Sequence, residues 1–278
     1  MVLSQQYIDD IICTALTEDI NYTDITTDNL FFATHLSNAY LIAKDRGVLC
    51  GIAMALRVFD IVGSVRIKKL FKDSDNLKKG DIIATMEGET KSLLKGERTV
   101  LNILQHLSGI ATYTNKCVKA VEGTNAVITD TRKTLPGLRA LQKYAVTVGG
   151  GRNHRFNLSD CAMLKDNHIA AYNGITGAVK ELRKRLPHTA KIEVEVTDFE
   201  QLREAIDNNV EIIMLDNMSL EDMTNAGEIT AKRALLEASG NVTLDNIRQV
   251  AQTGIDIISL GALTHSVKAF DISMRFEK

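Results

Sequence analysis

The chain has 278 residues, 45% of them hydrophobic and 24% charged, a composition typical of a folded globular protein. These values exclude intrinsic disorder, and a formal net charge of −2 with 5% aromatic residues argues against a general nucleic-acid-binding protein. The sequence contains no apolar run of membrane-spanning length, and its four cysteines form no Cys-x-x-Cys pair. The first residues show neither the basic lead nor the apolar stretch of a secretory signal, so we expect a cytoplasmic protein with reduced thiols.

The N-terminal part of the chain predicts an α+β domain. Ser4 is placed to cap a first helix, and a polar loop is expected over 21–28. A long helical pattern over 92–121 contains Ser108-Gly109, where we expect an interruption. Strands of one sheet are predicted near 37–43, 65–71 and 81–87, and a helix is predicted over 52–62. A last strand is predicted over 271–276 and is expected to return to this N-terminal sheet.

After Gly123 the pattern changes to short β-rich segments that alternate with helical ones. Such alternation predicts a parallel sheet. Six βα units in about 140 residues are too few for an ordinary eight-unit barrel of ~250 residues. We therefore predict an α/β chain in two domains, with an open doubly wound sheet as the alternative to the barrel. The domains are an N-terminal α+β open-faced sandwich (1–107, with 267–278) and a reduced six-stranded parallel α/β barrel (108–266).

Positive charge is concentrated in one part of this acidic chain. Between Asp130 and His168 there are seven Lys and Arg residues but three Asp residues. Since ligands bind at the carboxyl ends of parallel strands, this clustering predicts an anion site. The alternative is a solvated surface face.

Polar and small residues follow every predicted strand of the second domain. Glu193 and Glu195 share one face of a strand, because side chains alternate with period 2. For Glu193, an ion pair with Lys165 and a functional role both remain open. Glu195 and Asp216 are candidates to hold a hard divalent cation such as magnesium.

Two other groups of small residues are candidates for phosphate binding. Ser239-Gly240 and Gly261 follow the last two strands and precede helical patterns, where backbone N–H groups can bind phosphate. Gly149-Gly150-Gly151 forms either a plain turn or an anion-binding nest. Walker, Gly-x-Gly-x-x-Gly and Gly-x-Ser-x-Gly motifs are absent from the sequence. We therefore expect catalysis by placement of charge rather than by a covalent nucleophile.

Taken in order, the motifs resemble those of the quinolinate phosphoribosyltransferase family over essentially the whole chain. They are Gly96-Glu97-Arg98-Thr99, Asp130-Thr131-Arg132-Lys133-Thr134, Arg152-Asn153-His154-Arg155, Leu164-Lys165-Asp166-Asn167-His168, Glu193-Val194-Glu195, Leu215-Asp216-Asn217, Glu237-Ala238-Ser239-Gly240 and Gly261-Ala262-Leu263-Thr264-His265. One departure is Asn241, where many family members have a second Gly.

The resemblance implies a reaction: quinolinate and phosphoribosyl pyrophosphate give nicotinate mononucleotide, pyrophosphate and carbon dioxide in de novo NAD synthesis. It also implies a homodimer with shared active sites, in which Arg98 reaches into the partner's site, and it leaves open whether dimers assemble into hexamers. Magnesium is the expected cofactor, with Glu195 and Asp216 as its ligands, partly through the substrate. Lys133, Lys165, Glu195 and Asp216 are the expected catalytic residues. The full predicted substrate-binding set is Arg98, Arg132, Lys133, Thr134, His154, Arg155, Lys165, Glu195, Asp216, Ser239, Gly240, Asn241, Gly261 and His265.

Three other functions remain as alternatives. A molybdenum-associated branch shares the fold, and nicotinate is a rival substrate that needs fewer cations. A non-enzymatic anion-binding or RNA-binding protein would use the basic segment, but the acidic residues on the same rim argue against it. We predict small-molecule substrates and neither nucleic acid nor membrane as partners.

Overall fold

The structure is a computed structural model that describes residues 3–31, 33–63, 65–172 and 174–277. The chain forms two compact units. Unit 1 consists of Met1–Asn115, Pro136–Gly150 and Ser266–Lys278, and unit 2 consists of Lys116–Leu135 and Gly151–His265. The domain boundary expected at 107/108 stays a prediction. Segment 136–150, which lies within the predicted barrel domain, belongs to unit 1.

The elements follow one another with few long gaps. In chain order, those up to residue 120 are α1 (Gln5–Asp19), α2 (Ile25–Leu30), β1 (Leu36–Ala43), β2 (Gly47–Val48), α3 (Ile52–Val62), β3 (Val65–Lys69), β4 (Asn76–Leu77), β5 (Ile82–Glu89) and α4 (Thr90–Ala120). The remainder are β6 (Val127–Thr129), α5 (Arg139–Val148), β7 (Ala162–Leu164), α6 (Asp166–Tyr172), α7 (Ile175–Arg185), β8 (Ile192–Val196), α8 (Phe199–Asp207), β9 (Ile212–Asp216), α9 (Leu220–Thr230), β10 (Leu235–Ser239), α10 (Ile247–Gln252), β11 (Ile257–Ser259), α11 (Ala262–His265) and β12 (Ile272–Phe276).

Side-chain caps begin the first two helices. The Ser4 hydroxyl accepts the Tyr7 backbone N–H at the start of α1, as the sequence predicted. The Asp24 carboxylate accepts the N–H groups of Thr26 and Thr27 and so begins α2. The predicted loop over 21–28 is therefore wrong in its second half, because this cap makes a short helix possible.

An antiparallel sheet of order β12-β1-β5-β3 forms the centre of unit 1. β12 pairs with β1, with Leu41 opposite Met274, so the last strand lies in the N-terminal sheet, as its alternation indicated. Leu41, Phe59 and Leu104 are all fully buried in one hydrophobic core between this sheet and the helices. The apolar alternation of β1 and the apolar face of α3 thus supply the core that defines the unit.

The long helix α4 runs without a break over 31 residues. The predicted interruption at Ser108-Gly109 is wrong, and packing explains both residues. Ser108 Oγ accepts the Cys50 backbone N–H at 3.0 Å. A Cβ atom at Gly109 would overlap the carbonyl of Lys268, so glycine is required there for close approach rather than for a helix end.

Two helical glycines provide a matched test of this reading. We expect Gly109→Ala to lower the free energy of unfolding by about 1–3 kcal/mol, because the added methyl group overpacks a backbone contact. A Cβ atom at Gly227 in α9 would make an ordinary contact, 3.9 Å from the Thr253 carbonyl oxygen, so Gly227→Ala is expected to raise the free energy of unfolding by about 0.5–1 kcal/mol, because alanine favours a helix. Denaturant unfolding of both variants measures the difference, and equal shifts would contradict the packing argument.

Unit 2 contains a parallel sheet of order β6-β11-β10-β9-β8-β7. The strands β7 to β11 follow chain order, and the first strand, β6, pairs with the last, β11. A doubly wound sheet would instead reverse its order in the middle. This cyclic order is that of the predicted six-stranded barrel. In the described residues, the observed barrel has no strand pairing between β6 and β7.

Residues 152–155 lie at the gap between β6 and β7. Arg152 forms a parallel bridge with Thr129 of β6. The Arg155 guanidinium donates to the carbonyl of Cys161, just before β7. The segment thereby contacts both strands and carries His154 at the barrel interior.

Within the described parts of the chain, every helix is too short or too polar to cross a bilayer.

Candidate active site

A cavity of about 690 Å³ lies at the carboxyl ends of the barrel strands, and unit 2 supplies its whole lining. Ten of the predicted site residues line it: Arg132, Lys133, His154, Arg155, Lys165, Glu195, Asp216, Ser239, Gly240 and Asn241. The position agrees with the general rule for parallel α/β folds. Four of the seven Lys and Arg residues between Asp130 and His168 therefore share one cavity with the two predicted acidic residues: Arg132, Lys133, Arg155 and Lys165.

The remaining predicted residues have different positions. Arg98 is an exposed residue of α4 in unit 1. Thr134 follows Lys133 at the end of the first barrel strand. A Cβ atom at Gly261 would lie 2.9 Å from Lys133 Cδ and 3.0 Å from the His265 ring, so Gly261 and His265 adjoin Lys133. Thr264 Oγ1 also donates to the Lys133 carbonyl at 2.7 Å and ties these two loops together.

Lys165 and Glu195 form the tightest ion pair of the cavity. Lys165 follows β7, Glu195 is on β8, and their charged atoms are 2.6 Å apart. Glu195 retains 14% side-chain exposure and Lys165 43%. The pair orients both groups on the rim, but water screening keeps its own contribution to stability modest.

Glu193 is fully buried and pairs with His154, not with Lys165. Of the two alternatives left open for Glu193, the ion pair with Lys165 is therefore wrong, because Lys165 pairs with the rim carboxylate of Glu195, two residues further along β8. Glu193 Oε2 is 3.2 Å from His154 Nε2. Glu237 of β10 lies 3.4 Å from the same nitrogen and is also buried. The two carboxylates thus face one imidazole inside the barrel.

The charge of His154 is controlled by these neighbours. Burial of the ring lowers its pKa, but hydrogen bonds and charge from Glu193 and Glu237 outweigh burial and raise the pKa to about 10. On the other side of the ring, Nδ1 accepts the Arg155 backbone N–H at 2.8 Å. The Nε2 proton is therefore directed at the carboxylates.

Six residues that line the cavity were not predicted as site residues: Thr131, Met163, Met214, Asn217, Glu237 and Ser259. Glu237 precedes Ser239 by two residues on one strand, and period-2 alternation could have placed it on the inner face. Asn217 follows Asp216 with a φ of 55°. Its side-chain amide donates to Asp216 at 3.0 Å, and its carbonyl oxygen accepts from Asn241 at 2.9 Å.

The turn after β10 has two successive residues in the left-handed region. Gly240 has a φ of 88° and Asn241 a φ of 51°. Asn tolerates this left-handed region better than most residues, which explains how Asn241 can stand where the resemblance implies a second Gly. The sequence had indicated a helix start directly after Gly240. The next helix, α10, begins only at residue 247, so the backbone amides near Gly240 belong to a turn. Gly261, in contrast, directly precedes α11.

The Gly149-Gly150-Gly151 motif takes part in a helix end. Gly149 caps α5, and Gly150 has a φ of 95°, the left-handed conformation with which helices commonly end. A Cβ atom at Gly149 would lie 2.5 Å from the Ala111 carbonyl. Helix termination and close packing therefore explain Gly149 and Gly150, in agreement with the plain-turn reading.

Together, these groups can bind anions and balance their charge. Cations line one side of the cavity, carboxylates lie beside them, and two glycine-containing turns follow β10 and β11. Burial, assisted by the charge of Glu193, raises the pKa of the Cys161 thiol to about 11, so this cysteine is not an activated nucleophile. The geometry fits transfer between two anionic substrates.

Comparison with known proteins agrees with this architecture. The family model for the quinolinate phosphoribosyl transferase N-terminal domain matches residues 24–108, and that for the C-terminal domain matches residues 110–275. The chain is 44% identical to the probable nicotinate-nucleotide pyrophosphorylase [carboxylating] of Bacillus subtilis over 92% of this chain and 89% of the relative. It is 43% identical to the nicotinate-nucleotide pyrophosphorylase [carboxylating] of Mycobacterium leprae over 95% of each chain.

A solved structure extends the similarity to three dimensions. The crystal structure of NadC from Streptococcus pyogenes covers 100% of both chains with a TM-score of 0.95 and 43% identity. Both domain models, the full-length identity and the shared barrel topology lead to one conclusion. The chain belongs to the quinolinate phosphoribosyltransferase family.

Proposed function

We propose that this chain is a phosphoribosyltransferase that converts quinolinate and phosphoribosyl pyrophosphate to nicotinate mononucleotide, pyrophosphate and carbon dioxide, a step of de novo NAD synthesis. One observation carries the proposal. Arg132, Arg155 and Lys165 share a single cavity with Glu195 and Asp216, in a chain that is 44% identical to a relative named for this reaction.

The cationic side of the cavity suits a dicarboxylate. Arg132 and Arg155 can each grip a carboxylate with paired N–H groups, and Lys165 and His154 add further positive charge. Arg98 would complete the set from a second subunit. The site gathers these charges before the substrate arrives, so that little reorganisation is needed in the transition state.

The acidic side suits the sugar diphosphate. Glu195 and Asp216 offer the hard oxygen donors that magnesium prefers, and magnesium commonly takes one or two carboxylates together with substrate phosphates. Lys165 donates to one Glu195 oxygen and the Asn217 amide donates to one Asp216 oxygen, so the other oxygen of each carboxylate would hold the ion. When bound, the ion would neutralise the pyrophosphate leaving group. The turn at Ser239, Gly240 and Asn241, with Gly261 and His265, would hold the terminal phosphate.

The reaction needs orientation rather than a protein nucleophile. The quinolinate ring nitrogen donates its electron pair to the ribose carbon, and the bond from that carbon to pyrophosphate breaks. The positive pyridinium then favours loss of the adjacent carboxylate as carbon dioxide, and the ring carbon left behind takes up a proton. Lys133 and Thr134 would assist at the end of β6, and the other cations would offset repulsion between the two anions.

The direct test is an assay of the purified chain. With quinolinate, phosphoribosyl pyrophosphate and magnesium, we expect stoichiometric nicotinate mononucleotide and carbon dioxide, and no product when a chelator removes the metal. Nicotinate serves as the comparison substrate, because one carboxylate uses fewer of the cations. Preference for nicotinate, or no transfer with either compound, would refute the proposal.

The proposed homodimer with shared active sites gives a prediction about mixed dimers. If Arg98 acts in the partner's site, Arg98→Ala and Lys165→Ala homodimers will each be inactive. Subunit exchange between them would create hybrids with one intact site, and random assortment restores activity to about one quarter of wild type. Activity after mixing is the measurement, with Arg98→Ala mixed with itself as control. If mixing restores nothing although exchange is demonstrated, the two residues act in the same subunit.

A further inference from the structure

The barrel interior contains two carboxylates to which the proposed mechanism gives no role. Glu193 of β8 and Glu237 of β10 are both fully buried, and they lie 3.2 and 3.4 Å from a single nitrogen, His154 Nε2. Burying a carboxylate without a partner is expensive. A pair of them at one imidazole, beside a cavity for anions, therefore calls for a function.

The other charged groups around His154 are already engaged. Asp130, after β6, accepts the His154 backbone N–H at 3.0 Å. The Arg155 guanidinium donates to the Cys161 carbonyl. Lys165, after β7, is paired with Glu195. Among the ion pairs of the described residues, the imidazole is thus the one positive partner of Glu193 and Glu237.

The neutral ring is held from both sides. Nε2 donates towards the carboxylates, and Nδ1 accepts the Arg155 N–H. A second proton at Nδ1 has to replace the Arg155 bond, and a carboxylate of a bound substrate would provide the acceptor for that proton. His154 also lines the cavity itself, so its orientation and charge can reach the substrate.

We propose that Glu193 and Glu237 are positioning residues that fix the orientation of His154 and stabilise its positive charge for recognition of a substrate carboxylate. The proposal rests on the function proposed above. The raised pKa of His154, about 10, supports it. Because the folded-state pKa is raised, the imidazolium is favoured at neutral pH, without the Arg155 hydrogen bond to Nδ1 that the neutral ring makes. This charged form is lost only as the pH rises through that value.

The experiment measures the charge of His154 directly. Histidine-labelled full-length protein, alone and with quinolinate alone, is titrated by ¹⁵N NMR from pH 6 to 9, with His154→Gln to assign the signals. We expect wild-type His154 to stay protonated across this range. In Glu193→Gln and Glu237→Gln its pKa should fall by about 1–3 units, as removal of a neighbouring opposite charge does.

Kinetics provides the second measurement. The KM for quinolinate should stay nearly constant with pH in the wild type and rise at least about threefold between pH 6.5 and 9 in both Gln variants, with a smaller effect on kcat. Glu204→Gln is the matched control, because Glu204 accepts two hydrogen bonds from Thr176 and does not line the cavity. Glu193→Asp and Glu237→Asp keep the charge and should largely restore the wild-type pH profile.

Three results would overturn the proposal: titration of wild-type His154 near 6.5, unchanged His154 titration in the Gln variants, or a pH profile of KM that matches Glu204→Gln. If a Gln variant does not fold, the Asp variants and the wild-type titration still decide. If His154 titrates as expected but the wild type does not use quinolinate, the substrate assignment fails and the role of the carboxylates in holding the imidazolium stands.

Discussion

Arg132→Ala is expected to lower kcat/KM for quinolinate at least about 100-fold, equivalent to roughly 3 kcal/mol of transition-state stabilisation, the scale of removing one preorganised charge donor. Arg132 follows β6 and lines the cavity. Its planar fork of N–H groups can hold a carboxylate through two bonds, in a site where water competes poorly. Steady-state kinetics with quinolinate as the varied substrate measures the loss.

Two further variants make this prediction specific. Arg132→Lys keeps the charge but not the paired geometry, so its activity should lie between those of wild type and Arg132→Ala. Arg152→Ala removes an exposed arginine of the same basic segment that does not line the cavity and should stay within about twofold of wild type. Near-normal turnover by Arg132→Ala, or equal losses in Arg132→Ala and Arg152→Ala, would show that the proposed role of Arg132 is wrong.

Gly240→Ala should raise the KM for phosphoribosyl pyrophosphate more than about tenfold, because the added methyl group displaces the turn that would bind its phosphate. Gly240 has a φ of 88°, and a Cβ atom there would overlap the Asn217 side chain. That amide also contacts Asp216 and Asn241. One methyl group would therefore disturb both the phosphate turn and the carboxylate proposed to hold magnesium.

Gly254 provides the matched control. It has a φ of 90°, nearly the same as Gly240, but a Cβ atom there meets no atom within 4 Å. Gly254→Ala should lower the free energy of unfolding by about 1–2 kcal/mol, the usual cost of a left-handed alanine, and leave the KM unchanged. Melting curves and kinetics of both variants separate backbone strain from the clash, and equal KM values would contradict the proposed phosphate turn.

Local pattern was enough to predict much of this fold. The apolar spacing of α1 and α3, the alternation of β1 and β12, and the βα rhythm after residue 123 are each visible within a short segment. The cap at Asp24 was missed, because a polar run such as 21–28 is equally typical of a loop. Gly109 was misread, because a helix-breaking residue and a close-packed residue are identical in sequence.

In the site, too, local pattern predicted some features and missed others. That Arg132, Lys165, Glu195 and Asp216 meet at one rim follows from their positions at strand ends, because parallel strands end at the same edge of a sheet. Which charge pairs with which does not follow. Lys165 pairs with Glu195, two residues beyond Glu193, which the sequence had offered as one possible partner, and Glu193 pairs with a histidine from the segment at the gap in the barrel.

By itself, the sequence determined the two-domain α/β plan, the cationic site at the strand ends and the family resemblance, because periodicity and residue order are local properties. The tertiary structure alone decided the Glu193–His154–Glu237 cluster, the Asn217 contacts and the uninterrupted α4. Each of these depends on strand register or on contacts between residues far apart in the chain, and side-chain reach across such contacts is not encoded in any short pattern.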